Sequence, residues 1–213
     1  MEKHINFFEL REAAEKPGCP LCRIIAERGA RYIDNMLFEH VSDRGFRARY
    51  RAAGGFCAFQ SRGLEEFRDG LAVAILGRDV LEDNIEAFEK RRTPRPGAPC
   101  PVCEERDRIE EEYLGFLSEA WGEGEETEEL KRFFTASGGL CVPHYGKLLT
   151  SRGKPRRIPP WLAEFQTAVF KNLHRRVSRF IELSAYGRQE EFRNLSEADQ
   201  RVWKELAAAL RGE

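Results

Sequence analysis

No stretch of the chain approaches the roughly 18 consecutive apolar residues that a membrane-spanning helix requires, and the opening MEKHINFFELREAAEK holds no apolar core of the kind a secretory signal peptide needs. Runs of alternating β-branched residues are also missing, which argues against sheet. Net charge is nearly absent, at -1 from 35 basic and 36 acidic residues, so the overall balance gives no support for nucleic-acid binding. The recognisable catalytic signatures are missing as well. There is no HExxH, no HxE paired with PCxxC, no P-loop, no nucleophile elbow and no dinucleotide fingerprint. These absences predict a cytoplasmic, non-membrane protein in which cysteines stay reduced, and paired cysteines then point to metal or redox chemistry before disulfides.

What is present is ordinary globular material with one unusual pattern. Hydrophobic residues make up 41% and charged residues 33% of 213 residues, which is enough apolar surface to bury a real core. The charge is unevenly placed: Glu104 to Leu130 holds twelve acidic residues against Arg106 and Arg108, and Pro143 to Arg193 has a basic excess. Pairing of oppositely charged helices within the chain accounts for such blocks, and an anionic partner is the alternative.

All six cysteines fall in two copies of one pattern. Cys19-Pro-Leu-Cys22 is followed after 34 residues by Cys57-Ala-Phe-Gln60, and Cys100-Pro-Val-Cys103 is followed after 37 residues by Cys141-Val-Pro-His144. Each third cysteine follows Gly-Gly and one apolar residue. An aromatic residue lies four positions before each Gly-Gly (Tyr50, Phe134), and a leucine lies seven after each third cysteine (Leu64, Leu148). An internal duplication explains this pattern. The prolines and glycine of Arg91 to Pro99 break any regular element, and a second break runs from Ser151 to Pro160. The expected organisation is therefore repeat one over 1–91, a linker over 92–99, the repeat-two metal motif over 100–150, and a C-terminal segment over 158–213 packing on the repeats.

The apolar spacing between the breaks is helical, so the fold class is all-α, with a duplicated repeat followed by a long helix and a short final one. Leu71, Ile75, Leu81, Ile85 and Phe88 suit a helix ending near the linker, and Trp161, Phe165, Val169, Leu173, Val177 and Phe180 suit one face of the long tail helix. Ser196 to Asp199 reads as a capping box opening a last helix through Val202, Trp203, Leu206 and Leu210.

A CxxC knuckle delivers two thiolates from one turn, and a tetrahedral zinc ion takes four such ligands. Cys100, Cys103, Cys141 and His144 form the expected second set, with three thiolates and one imidazole. Cys19, Cys22 and Cys57 form the first set, in which Gln60 replaces the histidine. A glutamine amide is a poor zinc ligand beside three thiolates. That leaves three readings of the first set: lost metal with buried thiols, another ligand such as His40, or completion by water or by Gln60 itself. The expected cofactor is zinc, one or two per chain; iron-sulfur binding lacks the close CxxCxxC spacing.

Taken together, GCPLC, FEHVSDRGFR, GGFC, LAVAILGRDVL, APCPVC and GGLCVPH, followed by Ala185-Tyr186-Gly187 and a final helix, resemble an uncharacterised bacterial family of helical proteins with duplicated CxxC and CxxH motifs. The resemblance covers nearly the whole chain. It implies a shared duplicated fold and metal binding at the matching cysteines and His144; Gln60 departs from the pattern, and the family supplies no activity to carry over.

Three function classes stay open on the sequence. The first is a non-enzymatic, zinc-stabilised module for an unidentified protein partner. The second is a thiol redox or zinc-redox switch built on the CxxC pairs. The third is nucleic-acid binding through Arg152, Lys154, Arg156, Arg157, Arg175, Arg176 and Arg179. Of the remaining histidines, His4, His40 and His174 are isolated in sequence.

Overall fold

A computed structural model describes residues 5–64, 69–119, 124–151 and 154–212. His4 and Arg152 lie outside the described residues. The chain is all-α, as the periodicity predicts. In order come α1 (Ile5–Ala14), α2 (Pro20–Asn35), a π-helical turn (Met36–His40), α3 (Arg44–Ala52), α4 (Ala58–Ser61), α5 (Gly70–Glu89), α6 (Pro101–Glu119), α7 (Glu125–Ala136) and α8 (Val142–Leu149). After a two-residue ladder of β1 (Thr150–Ser151) and β2 (Lys154–Pro155) come α9 (Pro160–Leu183), α10 (Gln189–Arg193), α11 (Glu197–Gln200) and α12 (Val202–Arg211). Among the described residues no helix is long and apolar enough to cross a membrane.

The helix starts follow from side chains. Asp43 accepts the Phe46 N–H at 2.6 Å, Asp69 the Ala72 N–H at 2.9 Å and Ser196 the Asp199 N–H at 3.1 Å, each satisfying a donor that the first turn leaves without a helical partner. The Ser196 cap opens only the short α11, because the backbone departs from helix at Arg201 before α12 begins. The expected single final helix is thus two. The second sequence break is likewise more ordered than expected, with Thr150 opposite Pro155 and Ser151 opposite Lys154 in an antiparallel ladder.

Two compact units divide the chain, one of Ile25–Glu110 and one of Met1–Ile24 with Glu111–Glu213. These boundaries cut through both expected repeats, and the division falls inside α2 and α6. In the central unit, Ile33, Met36, Leu37, Phe46, Tyr50, Phe56, Ala72, Leu76 and Val102 form one buried cluster. Arg47 grips the buried Asp79 through two hydrogen bonds of 2.7 and 2.8 Å, so the cost of burying a carboxylate on α5 is met by a forked partner from α3. In the other unit, α7 packs on α1 and α9, and α12 packs on α8 and α9. Phe134 lies edge-on to Trp161 and Phe165 at 6.3 and 5.9 Å. Arg156 pairs with Glu111 at 2.5 Å, joining the basic stretch to the acidic one within the chain.

The α5 stripe comes out on the opposite face from a core stripe. The buried residues are Ala72, Leu76 and Asp79, whereas Leu71, Leu81, Ile85 and Phe88 are 73%, 58%, 48% and 62% exposed. Two apolar stripes share this helix, and periodicity does not say which one packs. Leu76→Ala should cost about 2–5 kcal/mol as a core truncation, and Leu81→Ser should stay within about 0.5–1 kcal/mol. Urea unfolding midpoints of the two variants check the assignment.

Candidate metal centres

The duplicated motifs adopt the same local structure. Cys57 and Cys141 are the N-cap residues of α4 and α8, with φ/ψ of -64/162° and -68/164°. Each carbonyl accepts the first helical N–H, from Ser61 and Tyr145, at 2.9 Å. Cys19 and Cys100 do the same for α2 and α6, accepting from Arg23 at 3.3 Å and Glu104 at 3.0 Å, with Pro20 and Pro101 at the first helical position where a missing N–H costs nothing. Every knuckle therefore presents its sulfur at a helix N-terminus, where the free N–H groups and the helix dipole favour thiolate.

The sulfurs group differently from the expected sets. Cys19 and Cys22 stand with Cys141 and His144, and Cys57 stands with Cys100 and Cys103; within each group the ligating atoms lie within 4.8 Å of one another. The expected sets Cys100, Cys103, Cys141, His144 and Cys19, Cys22, Cys57 are corrected accordingly: each repeat's CxxC knuckle joins the Gly-Gly-x-Cys turn of the other repeat. The backbone shows why. The Gly138 position lies against the Gly18 backbone, with an added Cβ 3.8 Å from the Gly18 oxygen, which brings the Cys141 turn to the Cys19 turn. In the central unit, Gly97 and Ala98 donate N–H bonds of 2.7 and 3.1 Å to the Ala52 carbonyl, which brings the chain entering Cys100 to the turn preceding Cys57.

In the first group His144 Nδ1 is 3.0 Å from Cys141 Sγ, 3.2 Å from Cys22 Sγ and 3.4 Å from Cys19 Sγ, and the Cys22 and Cys141 sulfurs are 3.7 Å apart. A tetrahedral ion with bonds of about 2.3 Å to sulfur and about 2.0 Å to nitrogen sets neighbouring ligand atoms about 3.5–3.8 Å apart. The donor set fits such an ion in number and type, and the Cys22–Cys141 spacing matches a tetrahedral sulfur pair, while the imidazole nitrogen lies somewhat closer to the sulfurs than a bound ion sets it. Cys19, Cys141 and His144 are buried, and Cys22 is half-buried. Hydrogen bonding from Cys141 and Cys22 holds the Cys19 thiol far below the usual range, whereas Cys22, hydrogen-bonded to Cys141 and Cys19 and crowded by both sulfurs, is pushed far up. A first thiolate forms readily there and the next is resisted, which is the electrostatic situation a cation relieves.

The second group has three half-buried sulfurs, with Cys57 and Cys103 at 3.6 Å. Burial and the neighbouring Cys57 and Cys100 sulfurs push the Cys103 thiol up to about 12. The Cys57 thiol is lowered despite its own burial, by hydrogen bonds from the Gln60 backbone and Cys103. Gln60 is buried and its Nε2 lies 3.9 Å from Cys103 Sγ. His40, the alternative ligand, is exposed and stands beside Glu39 at 4.0 Å, outside either group. His174 is also exposed on α9.

Two supporting residues have no signature in the sequence. Gln166, fully buried on α9, accepts the Leu140 N–H at 2.8 Å and donates to the Leu140 carbonyl at 2.9 Å, so one amide side chain satisfies both backbone groups of the residue before Cys141. Gly212, in left-handed conformation at the end of α12, lies over the first group; an added Cβ would sit 3.3 Å from Cys141 Sγ. In the other copy the Tyr50 ring lies edge-on to the Phe56 ring at 5.0 Å, one residue before Cys57.

The chain is similar to an uncharacterized 23.9 kDa protein in the xynA 3' region of Caldicellulosiruptor sp. (strain Rt8B.4), 28% identical over 136 residues. The match takes in 62% of this chain and 65% of that relative, so just under two thirds of the relative's length is spanned. No protein-family model matches the chain, and no solved structure does.

Gly139 has φ of +70°, and an added Cβ would stand 2.8 Å from Gln166 Oε1, so it permits both the turn and the amide pairing. Gly139→Ala should destabilise by about 2 kcal/mol or more, and Gly138→Ala, whose Cβ meets only ordinary contacts, should fall within about 1 kcal/mol. Thermal melts of the two single variants separate these outcomes.

Proposed function

We propose that the protein is a zinc-stabilised helical module that acts through interaction with other proteins. The observation that carries this reading is the buried convergence of Cys19, Cys22, Cys141 and His144 on one point from the starts of α2 and α8. Zinc supplies a divalent charge and four bonds that tie those two helix starts together. Structural zinc sites are closed by four protein ligands, and catalytic ones keep a position open; this group is of the closed kind. Three sulfurs and an imidazole suit zinc better than the hard cations magnesium and calcium, which take oxygen.

The interaction part of the reading is supported by α5, whose Leu71, Leu81, Ile85 and Phe88 remain exposed along one side of a 20-residue helix. Nucleic-acid binding is less well supported. Arg156 is paired with Glu111, and Arg176 with Asp199 and Glu205 at 2.7 Å, so part of the basic charge is neutralised within the chain.

Structural zinc contributes roughly 10 kcal/mol or more of apparent binding free energy near neutral pH. His144→Ala should therefore lose one zinc per chain by elemental mass spectrometry and lower the melting midpoint by about 10 °C or more. Unchanged zinc content and an unchanged melt in that variant would reject the reading.

A further inference from the structure

We propose that Cys57, Cys100 and Cys103 form a second metal site of a different character: a three-thiolate zinc site whose fourth position, held by the Gln60 amide, is open to exchange with an incoming thiolate or imidazole. This deepens the zinc reading above and rests on it for the identity of the metal.

The argument begins with equivalence of position. Gln60 is the third residue of α4 after its N-cap Cys57, as His144 is the third residue of α8 after its N-cap Cys141. Both side chains are buried, at 8% and 7% exposure. The fold places the amide where the imidazole stands in the other group, with its end beside the Cys103 sulfur. A half-turn of the amide exchanges its nitrogen for its oxygen at almost no steric cost, so the side chain has a donor to offer the site. That donor is a neutral, hard oxygen, much weaker toward zinc than an imidazole nitrogen beside three thiolates.

The sulfurs themselves are arranged for a metal. Cys57 and Cys103 are 3.6 Å apart, the neighbour spacing of a tetrahedral thiolate pair, and Cys100 completes the trio within 4.8 Å. Contacts other than the sulfurs join the elements that carry the trio. The Gly97 and Ala98 hydrogen bonds to Ala52 fix the chain before Cys100, and Arg106 on α6 lies over the Phe59 ring of α4 at 5.7 Å, joining the helices that carry Cys103 and Cys57. Loss of metal here therefore leaves the local fold standing.

Access differs from the first group too. Cys57, Cys100 and Cys103 are all half-buried, whereas in the first group Cys22 alone is half-buried and Cys19 and Cys141 are buried. A weak fourth ligand, sulfurs within reach of solution and a scaffold that does not need the ion are the three properties an exchange site requires. One zinc is thus retained at the Cys19 group for structure, and the other passes between the chain and outside donors at the Cys57 group.

The test is a competition on the full-length, zinc-loaded chain with a chromogenic pyridylazo chelator, read together with zinc stoichiometry, thiol reactivity and circular dichroism. Two zincs per chain are expected, leaving in separate fast and slow phases. The fast phase should expose three reactive thiols with helicity unchanged. Cys57→Ser should abolish the fast phase alone. Gln60→His, which rebuilds the three-cysteine, one-histidine set, should slow that phase by about tenfold or more. A single, slowly released zinc in the wild type overturns the proposal, including the case where Gln60→His gains a second zinc, because the natural site would then be dead. A fast phase without a slow one would instead reject the structural zinc and leave the exchange site standing.

Discussion

Burying three sulfurs and an imidazole within a few ångströms of each other is the constraint on which the rest of this structure turns. Cys19, Cys141 and His144 are almost wholly removed from water, and a buried polar group has to be neutralised or hydrogen-bonded to be tolerated. The surrounding architecture serves that requirement. Two helix starts, those of α2 and α8, carry the ligands, glycine turns let the backbones meet, and Gln166 satisfies the peptide groups that would otherwise be stranded beside Cys141. The end of α12 closes over the same point through Gly212.

The two groups place different residues at one equivalent helical position. Cys57 and Cys141 cap their helices with nearly identical backbone angles, and Gln60 and His144 occupy the same helical position at the same depth. Local folding is thus indifferent to whether the residue is an amide or an imidazole. The difference lies in the donor each position offers, an imidazole nitrogen in one group and an amide in the other. The supporting contacts differ as well: a glutamine from another helix braces the residue before Cys141, and a tyrosine ring from the preceding helix packs on the one before Cys57.

Much of the fold was legible because it depends on short-range rules. Helical period, proline after the first cysteine of each knuckle and the break over Arg91 to Pro99 all act over a few residues; α2 and α6 begin at those prolines, and no helix or strand runs through residues 92–99. Tyr50 and Phe134, matched by offset alone, are both buried, and so is Leu148. The facing of α5 was not legible, because it carries apolar residues on two sides and only its neighbours select which side packs. Gln166 was invisible because a glutamine in a helix is ordinarily a solvent-facing residue; here its depth comes from the segment lying across it.

By itself, then, the sequence determined the helical class, the duplicated cysteine motifs, the ligand chemistry on offer and the oddity of Gln60. The tertiary structure alone decided which knuckle meets which turn, grouping Cys19 and Cys22 with Cys141 and His144, and Cys57 with Cys100 and Cys103. The physical reason lies in the duplication. Two nearly identical CxxC knuckles fit two nearly identical glycine turns equally well on local chemistry. The choice between the two pairings rests on contacts between residues distant in sequence, such as Gly18 against Gly138 and Ala52 with Gly97, which no local pattern encodes.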